Sequence, residues 1–144
     1  MMGLLDPPDR AMGAPSFRWD DGGVVMEQTG GCLCGAVRYR VTGAPQSTSL
    51  CHCFSCRRST GGPSLAWAIF DEDKVEIVSG TPAVFESSPG VERGFCAQCG
   101  STLTCANVRL PTEKHYYVGA FERAAELKPT GEFFPGERLP WLHL

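Results

Sequence analysis

A mostly β, turn-rich domain with metal-binding cysteines is the fold class this sequence predicts, and three observations carry that expectation. Seventeen Gly and eleven Pro divide the chain into short segments. Several of those segments alternate apolar and polar residues, the pattern of half-buried strands. Seven of the eight cysteines fall into close groups, as thiolate metal ligands do. The 144 residues suffice for one domain, read as residues 24–144 behind a flexible N-terminal extension of residues 1–23.

Taken in order, Met1 to Trp19 is rich in Pro, Gly and Asp without a sustained period, and reads as a loosely draped segment. Val24-Val25-Met26 opens the first strand, and Thr29-Gly30-Gly31 reads as a turn delivering Cys32 and Cys34 on a knuckle closed by Gly35. From Ala36 to Thr42 the alternation is clean: Val37, Tyr39 and Val41 share one face, Arg38, Arg40 and Thr42 the other. Gly43-Ala44-Pro45 ends that strand, and Ser47–Leu50 extends into Cys51-His52-Cys53-Phe54-Ser55-Cys56. A short helical turn over Cys53–Ser59 sets Cys53 and Cys56 at i, i+3 on one side, before Gly61-Gly62-Pro63 stops it.

Leu65–Phe70 is a compact apolar run, hence a buried strand. Val75–Ser79, Ala83–Glu86 and Val91–Phe95 follow as strands, the last feeding a second knuckle at Cys96–Gly100. Ser101–Asn107 and His115–Phe121 read as two more strands, and Phe121–Glu126 as a second short helix.

The net charge of −3 argues against general nucleic-acid affinity. No apolar run approaches the roughly 18 residues of a membrane span. With no charged segment leading into an apolar signal region, the expected compartment is the cytoplasm, where cysteines stay reduced. A four-disulfide framework is disfavoured for the same reason, and because a C-x-C pair closes a strained ring. Between Gly30 and Phe70 stand Arg38, Arg40, Arg57 and Arg58 with no Asp, Glu or Lys. That stretch is +4, so the remainder of a −3 chain is −7. These arginines read either as counter-ions to thiolates or as a landing place for an anionic small substrate.

The cysteines form two sets. Cys32, Cys34, Cys96 and Cys99 make a C-x-C and a C-x-x-C-G some sixty residues apart. Four thiolates from two knuckles make a closed tetrahedral zinc site that ties early and late strands together. The competing reading, a redox C-x-x-C, lacks its βαβ context. Cys51, Cys53 and Cys56 supply three thiolates and leave a tetrahedral position unfilled. This set reads either as a second structural site completed by His52, His115 or Cys105, or as an open site. Three anionic sulfurs soften a zinc ion's acidity, which suits holding a substrate thiolate better than generating hydroxide. Cys105 otherwise reads as a small hydrophobe in a strand.

Three ordered segments carry a resemblance: Gly30-Gly31-Cys32-Leu33-Cys34-Gly35-Ala36-Val37-Arg38-Tyr39, Cys51-His52-Cys53-Phe54-Ser55-Cys56-Arg57-Arg58-Ser59-Thr60-Gly61, and Phe95-Cys96-Ala97-Gln98-Cys99-Gly100-Ser101, with Leu139-Pro140-Trp141-Leu142 near the end. From about Met26 onward the chain resembles the glutathione-dependent formaldehyde-activating enzymes, also called the centromere-protein-V-like family. The resemblance implies a zinc-dependent β-tent of two small antiparallel sheets with short helical turns. It implies two zinc ions per chain, structural on Cys32, Cys34, Cys96 and Cys99 and catalytic on Cys51, Cys53 and Cys56. It also implies a carbon–sulfur lyase that joins a thiol such as glutathione to a small aldehyde such as formaldehyde, giving S-hydroxymethylglutathione. The expected partners are therefore small thiols and aldehydes, with neither nucleic acid nor membrane. Arg57 and Arg58 are the candidate grips for a substrate carboxylate, and Ser55, Ser59 and Thr60 candidate proton donors. His52 and His115 are candidate proton relays. A zinc-stabilised scaffold without turnover, and a related lyase acting on another thiol, are the alternatives.

Overall fold

In the computed structural model, residues 17–20 and 23–143 are described. Strands β1 (Phe17–Asp20), β2 (Gly23–Gly31), β3 (Arg38–Thr42) and β6 (Val75–Ser79) form a four-stranded sheet in the order β1-β2-β3-β6. A seven-stranded sheet runs β11-β4-β5-β10-β9-β8-β7. It comprises β4 (Ser47–Cys51), β5 (Leu65–Asp71), β7 (Ala83–Ser88), β8 (Val91–Phe95), β9 (Thr102–Asn107), β10 (Glu113–Tyr117) and β11 (Gly131–Phe133). One α-helix, α1 (Phe54–Thr60), links β4 to β5. The mostly β, two-sheet expectation holds. The second sheet is larger than expected, and its β11–β4 pair is parallel rather than antiparallel.

The alternation read in β3 is the alternation observed: Tyr39 and Val41 are buried, while Thr42 is exposed. Tyr39 meets Tyr116 of β10 and Phe121 with ring centroids at 5.0 and 5.4 Å, closing the core between the sheets. The apolar run of β5 is buried on both faces, as its lack of alternation implies. Ala68 and Phe70 join the inter-sheet core, whereas Leu65 and Trp67 pack with Cys51 and Cys56 on the opposite face. A bulge in β9 matters here. Gly94 pairs with Thr104 but Phe95 with Thr102, so Leu103 turns into the inter-sheet core while Cys105 faces the thiol side.

Several expectations are corrected. Phe17–Asp20 is a strand paired with β2, in register Phe17 to Met26, rather than a draped segment. The rest of the expected extension, residues 1–16 with 21 and 22, lies outside the described residues. Thr29-Gly30-Gly31 is not a turn but the end of β2. A Cβ on Gly30 would lie 2.7 Å from the Tyr39 ring, and one on Gly31 only 2.3 Å from the Val37 carbonyl oxygen. These glycines serve close strand approach rather than chain reversal. The strand expected over His115–Phe121 stops at Tyr117 and becomes a 3-10 turn at Val118–Ala120. Of the second helix only a 3-10 turn, Ala124–Glu126, is present, too few residues to nucleate an α-helix. Among the described residues no helix is long and apolar enough to cross a membrane.

Candidate metal centres

The first thiol set is assembled by two turns from different sheets. Leaving β2, the chain reverses so that Gly35 donates to the Cys32 carbonyl at 3.1 Å, and Gly35 takes φ +83°. The second knuckle repeats this, with Gly100 donating to the Cys96 carbonyl at 2.8 Å and adopting φ +74°. Only glycine takes that left-handed conformation without strain. Leu33 N–H donates to Ser101 Oγ at 3.0 Å, pinning one knuckle to the other.

The Sγ atoms of Cys32, Cys34, Cys96 and Cys99 all lie within 4.8 Å of one another, with Cys32–Cys34 at 3.5 Å and Cys34–Cys96 at 3.8 Å. Sulfurs on a tetrahedral zinc at about 2.3 Å stand roughly 3.8 Å apart, so these residues fit that ion. The Val37 N–H donates to Cys32 Sγ at 3.2 Å. Burial alone would raise the Cys32 pKa; that bond and the neighbouring thiols lower it below the ordinary thiol value. Cys99 is pulled down to about 5, first by the Ser101 hydroxyl and then by backbone N–H groups. Donors aimed at Cys32 and Cys99 favour their thiolates, the form a metal takes, whereas Cys34, which a backbone N–H contact at Ala36 alone would lower, is pushed up to about 12 by its bond to the Cys32 thiol.

The second set sits where β4 runs into α1. Cys53 is the N-cap of the helix, its Sγ accepting from the Cys56 N–H at 3.3 Å, and Gly61 closes the other end at φ +76°. The cap bends the chain so that Cys51, Cys53 and Cys56 bring their sulfurs within 4.8 Å of one another. They line a cavity of about 430 Å³ whose walls include Trp67, Arg93, Cys105, Asn107, His115 and Phe133. The three thiols therefore fit a zinc ion whose fourth side faces a pocket.

The loop bearing these thiols is fastened from the far end of the chain. Parallel pairing of β11 with β4 sets Phe133 beside Cys51. The Phe54 N–H donates to Glu137 Oε2 at 2.8 Å, and His52 Nε2 stands 3.2 Å from Glu132 Oε1, which also holds Arg138. His52 is fully buried and its ring nitrogens do not join the three-sulfur cluster, so it is a strut rather than a fourth ligand.

Electrostatically the three sulfurs are unequal. Cys56 is lowered to about 5, chiefly by the Cys51 thiol, against desolvation, with help from the Arg93 guanidinium and the Trp67 indole. Cys51 is raised by the same bond, which keeps its proton between the two sulfurs, and then by burial. Cys53 is raised mainly by desolvation. Arg93 Nη1 donates to Cys56 Sγ at 3.6 Å.

The structure separates the other candidates by position. Ser55 and His115 line the thiol cavity, and the His115 ring stacks on Phe133 at 6.2 Å. Ser59 and Thr60 donate back to the Cys56 carbonyl at 3.1 and 2.9 Å, stitching the helix. Arg57 and Arg58 lie along a neighbouring groove with Phe54, Leu139 and Trp141, and Arg58 covers the Phe54 ring at 5.1 Å. Phe54 lines both that groove and the thiol cavity. Cys105 is half-buried, facing the cavity but outside the three-sulfur cluster. Sequence reasoning passed over Arg93, Glu132, Glu137 and Phe133. Each is an ordinary strand or loop residue brought to the thiols only by pairing across distant parts of the chain.

Comparison with known proteins bears on this geometry. Residues 27–137 match the family model described as glutathione-dependent formaldehyde-activating enzyme. A Halomonas elongata protein named "Putative glutathione-dependent formaldehyde-activating enzyme" is 32% identical over 102 residues, 65% of this chain and 64% of that protein. The chain thus spans just under two thirds of that relative's length. A Schizosaccharomyces pombe protein named an uncharacterized lyase is 32% identical over 95 residues, 66% of this chain and 67% of its own. A crystal structure of a Rhodobacter sphaeroides protein superposes with a TM-score of 0.59 at 22% identity, covering 73% of this chain and 99% of that one, which supports the fold.

Proposed function

The chain belongs to the glutathione-dependent formaldehyde-activating enzyme family, and from that premise we propose that it joins a small thiol, glutathione being the model, to a small aldehyde such as formaldehyde. The observation that carries this reading is the placement of Cys51, Cys53 and Cys56 at the wall of a cavity of about 430 Å³, while the other four thiols are gathered at two interlocked turns. Zinc held by both sets would fasten the sheets at the four-thiol set and, at the three-thiol set, keep a substrate thiol deprotonated at neutral pH.

In the reaction a new S–C bond forms between the thiol sulfur and the carbonyl carbon. The carbonyl π pair moves to oxygen, which takes up a proton, so the thiol proton is in effect relocated to the new hydroxyl. The chain's own residues divide that work. Trp67 and Phe133 exclude bulk water from one wall, which strengthens charge interactions within. Arg93 faces the sulfur side with positive charge, where the attacking anion must sit. Ser55 and His115 line the same cavity and are the groups placed to deliver the proton. A peptide thiol longer than the cavity extends over Phe54 toward Arg57 and Arg58, which would hold its carboxylate.

The test is turnover by exchange NMR, with glutathione and formaldehyde first and other thiols and aldehydes after, measured above the uncatalysed rate. Cys53→Ser is expected to bring the rate down to background while leaving circular dichroism and thermal unfolding close to parental. Parental turnover in a folded Cys53→Ser protein overturns the reading and leaves a zinc-stabilised scaffold.

A further inference from the structure

Arg93 is a half-buried cation with no carboxylate partner among the described residues. Four other arginines there are ion-paired: Arg38 with Glu122, Arg40 with Glu76, Arg123 with Glu126 and Arg138 with Glu132. The contacts of Arg93 are of another kind. Its Nε donates to Ser87 Oγ at 3.1 Å, and its Nη1 reaches Cys56 Sγ at 3.6 Å and Ser59 Oγ at 3.5 Å. Strand register explains the aim: Arg93 pairs with Phe85 of β7 on one side and with Cys105 of β9 on the other. Cys105 itself pairs with His115 of β10. The Ser87 bond fixes the guanidinium so that its other edge faces the thiols.

A guanidinium drawn out of water needs an anion close by. Three thiolates around a divalent cation carry a net charge of −1, and Arg93 is a cation whose guanidinium reaches one of these sulfurs, Nη1 to Cys56 Sγ at 3.6 Å. We infer that Arg93 is a positioning residue of the three-thiol site: its N–H···S bond to Cys56 draws charge from that sulfur and neutralises the metal–thiolate group. The inference rests on the reading of Cys51, Cys53 and Cys56 as a metal set. Its consequence is an asymmetric site. Cys56 is the weakest donor of the three, so a metal held there keeps more Lewis acidity than three equivalent thiolates would leave it.

Cobalt(II) is the probe, because its sulfur-to-metal charge-transfer absorption reports how much charge each thiolate donates. Zinc is first loaded at one equivalent into the four-thiol set of the full chain, and one equivalent of cobalt(II) is then added. Relative to the parent, Arg93→Met is expected to move the charge-transfer band to lower energy and to weaken cobalt binding against EDTA by about 10- to 100-fold. Arg93→Lys keeps the charge without the planar fork, so it should restore most of the affinity but leave the band displaced. A band and affinity identical to the parent's in Arg93→Met reduce Arg93 to packing and overturn the inference. If Arg93→Met fails to fold, Arg93→Lys decides, and a parental band there overturns it as well. A parent that takes up no cobalt beyond the first zinc removes the metal reading itself, a failure distinct from parental metal uptake with an indifferent Arg93.

Discussion

Between the sheets, Tyr39 and Tyr116 meet Phe121 in a cluster whose hydroxyls sit deep in the protein, and the Tyr39 hydroxyl has no hydrogen-bond partner. Burial pushes Tyr116 from 10.0 up to about 12, and raises Tyr39 as well. A phenol whose folded pKa exceeds its unfolded value keeps its full contribution below the unfolded pKa. That contribution then falls as pH rises through the folded one, because the native state binds the extra proton. For Tyr116 the window is therefore pH 10 to 12. Each pKa unit is worth about 1.4 kcal/mol, so its share is about 3 kcal/mol at the alkaline end. Tyr116→Phe, whose ring fills nearly the same volume, should lose stability over that window less steeply than the parent in urea titrations. Parallel curves would mean that the hydroxyl ionises as freely in the fold as out of it.

At this scale the thiols were legible and their neighbours were not. Cysteine spacing declares both thiol groups, and the fold gathers each within 4.8 Å, because metal geometry demands close thiols and few other roles do. Arg93 carries no such mark. It is one arginine in a short strand, and its meaning comes from Cys56, thirty-seven residues away in sequence. Arg57 and Arg58 attracted notice by adjacency to the cysteines, yet a helix rotates successive side chains by about 100°, which sends them along the neighbouring groove.

Elements were legible where their burial leaves a period. β3 alternates and β5 is continuously apolar, and both lie where those patterns place them. β11 is three residues long and parallel to β4, so it has neither the length for a period nor a hairpin turn to announce it. Its effect is nonetheless direct, since it sets Phe133 against Cys51.

The ends of elements can be compared through two glycines in the left-handed region. Gly61 closes α1 at φ +76° with open space where a Cβ would go, so Gly61→Ala bears only the conformational penalty of about 1–2 kcal/mol. Gly80 follows β6 at φ +72°, but a Cβ there would lie 2.1 Å from the Ala36 carbonyl oxygen, beside the first knuckle. Backbone at that distance cannot yield as a flexible side chain does. Gly80→Ala should therefore destabilise by at least about 2 kcal/mol more than Gly61→Ala in chemical denaturation. Equal losses would show that the start of β3 shifts freely, contrary to its packing.

For the whole molecule, the two thiol sets occupy different positions in the balance of stability. Cys32 and Cys96 belong to the inter-sheet core, and their knuckles join the β2–β3 turn of one sheet to the β8–β9 turn of the other. A structural zinc contributes on the order of 10 kcal/mol, as large as the net stability of a typical domain. Cys51, Cys53 and Cys56 instead join one loop to its own helix, already held by the cap at Cys53 and by Glu132 and Glu137. Removing a metal from that set leaves those supports standing. Chelation of protein carrying two zinc ions should therefore proceed in two steps. The first zinc leaves under mild EDTA from the cavity-facing set, taking turnover with it and leaving the far-UV circular dichroism spectrum intact. The second leaves only with unfolding, and Cys96→Ser should accordingly lower the melting temperature far more than Cys53→Ser. Simultaneous loss of both metals with the fold, or a chain that stays folded after losing both, would mean that the sheets are not fastened in this order. Two separated steps would mean that one thiol set holds the two sheets together while the other is left free to exchange its fourth partner with substrate.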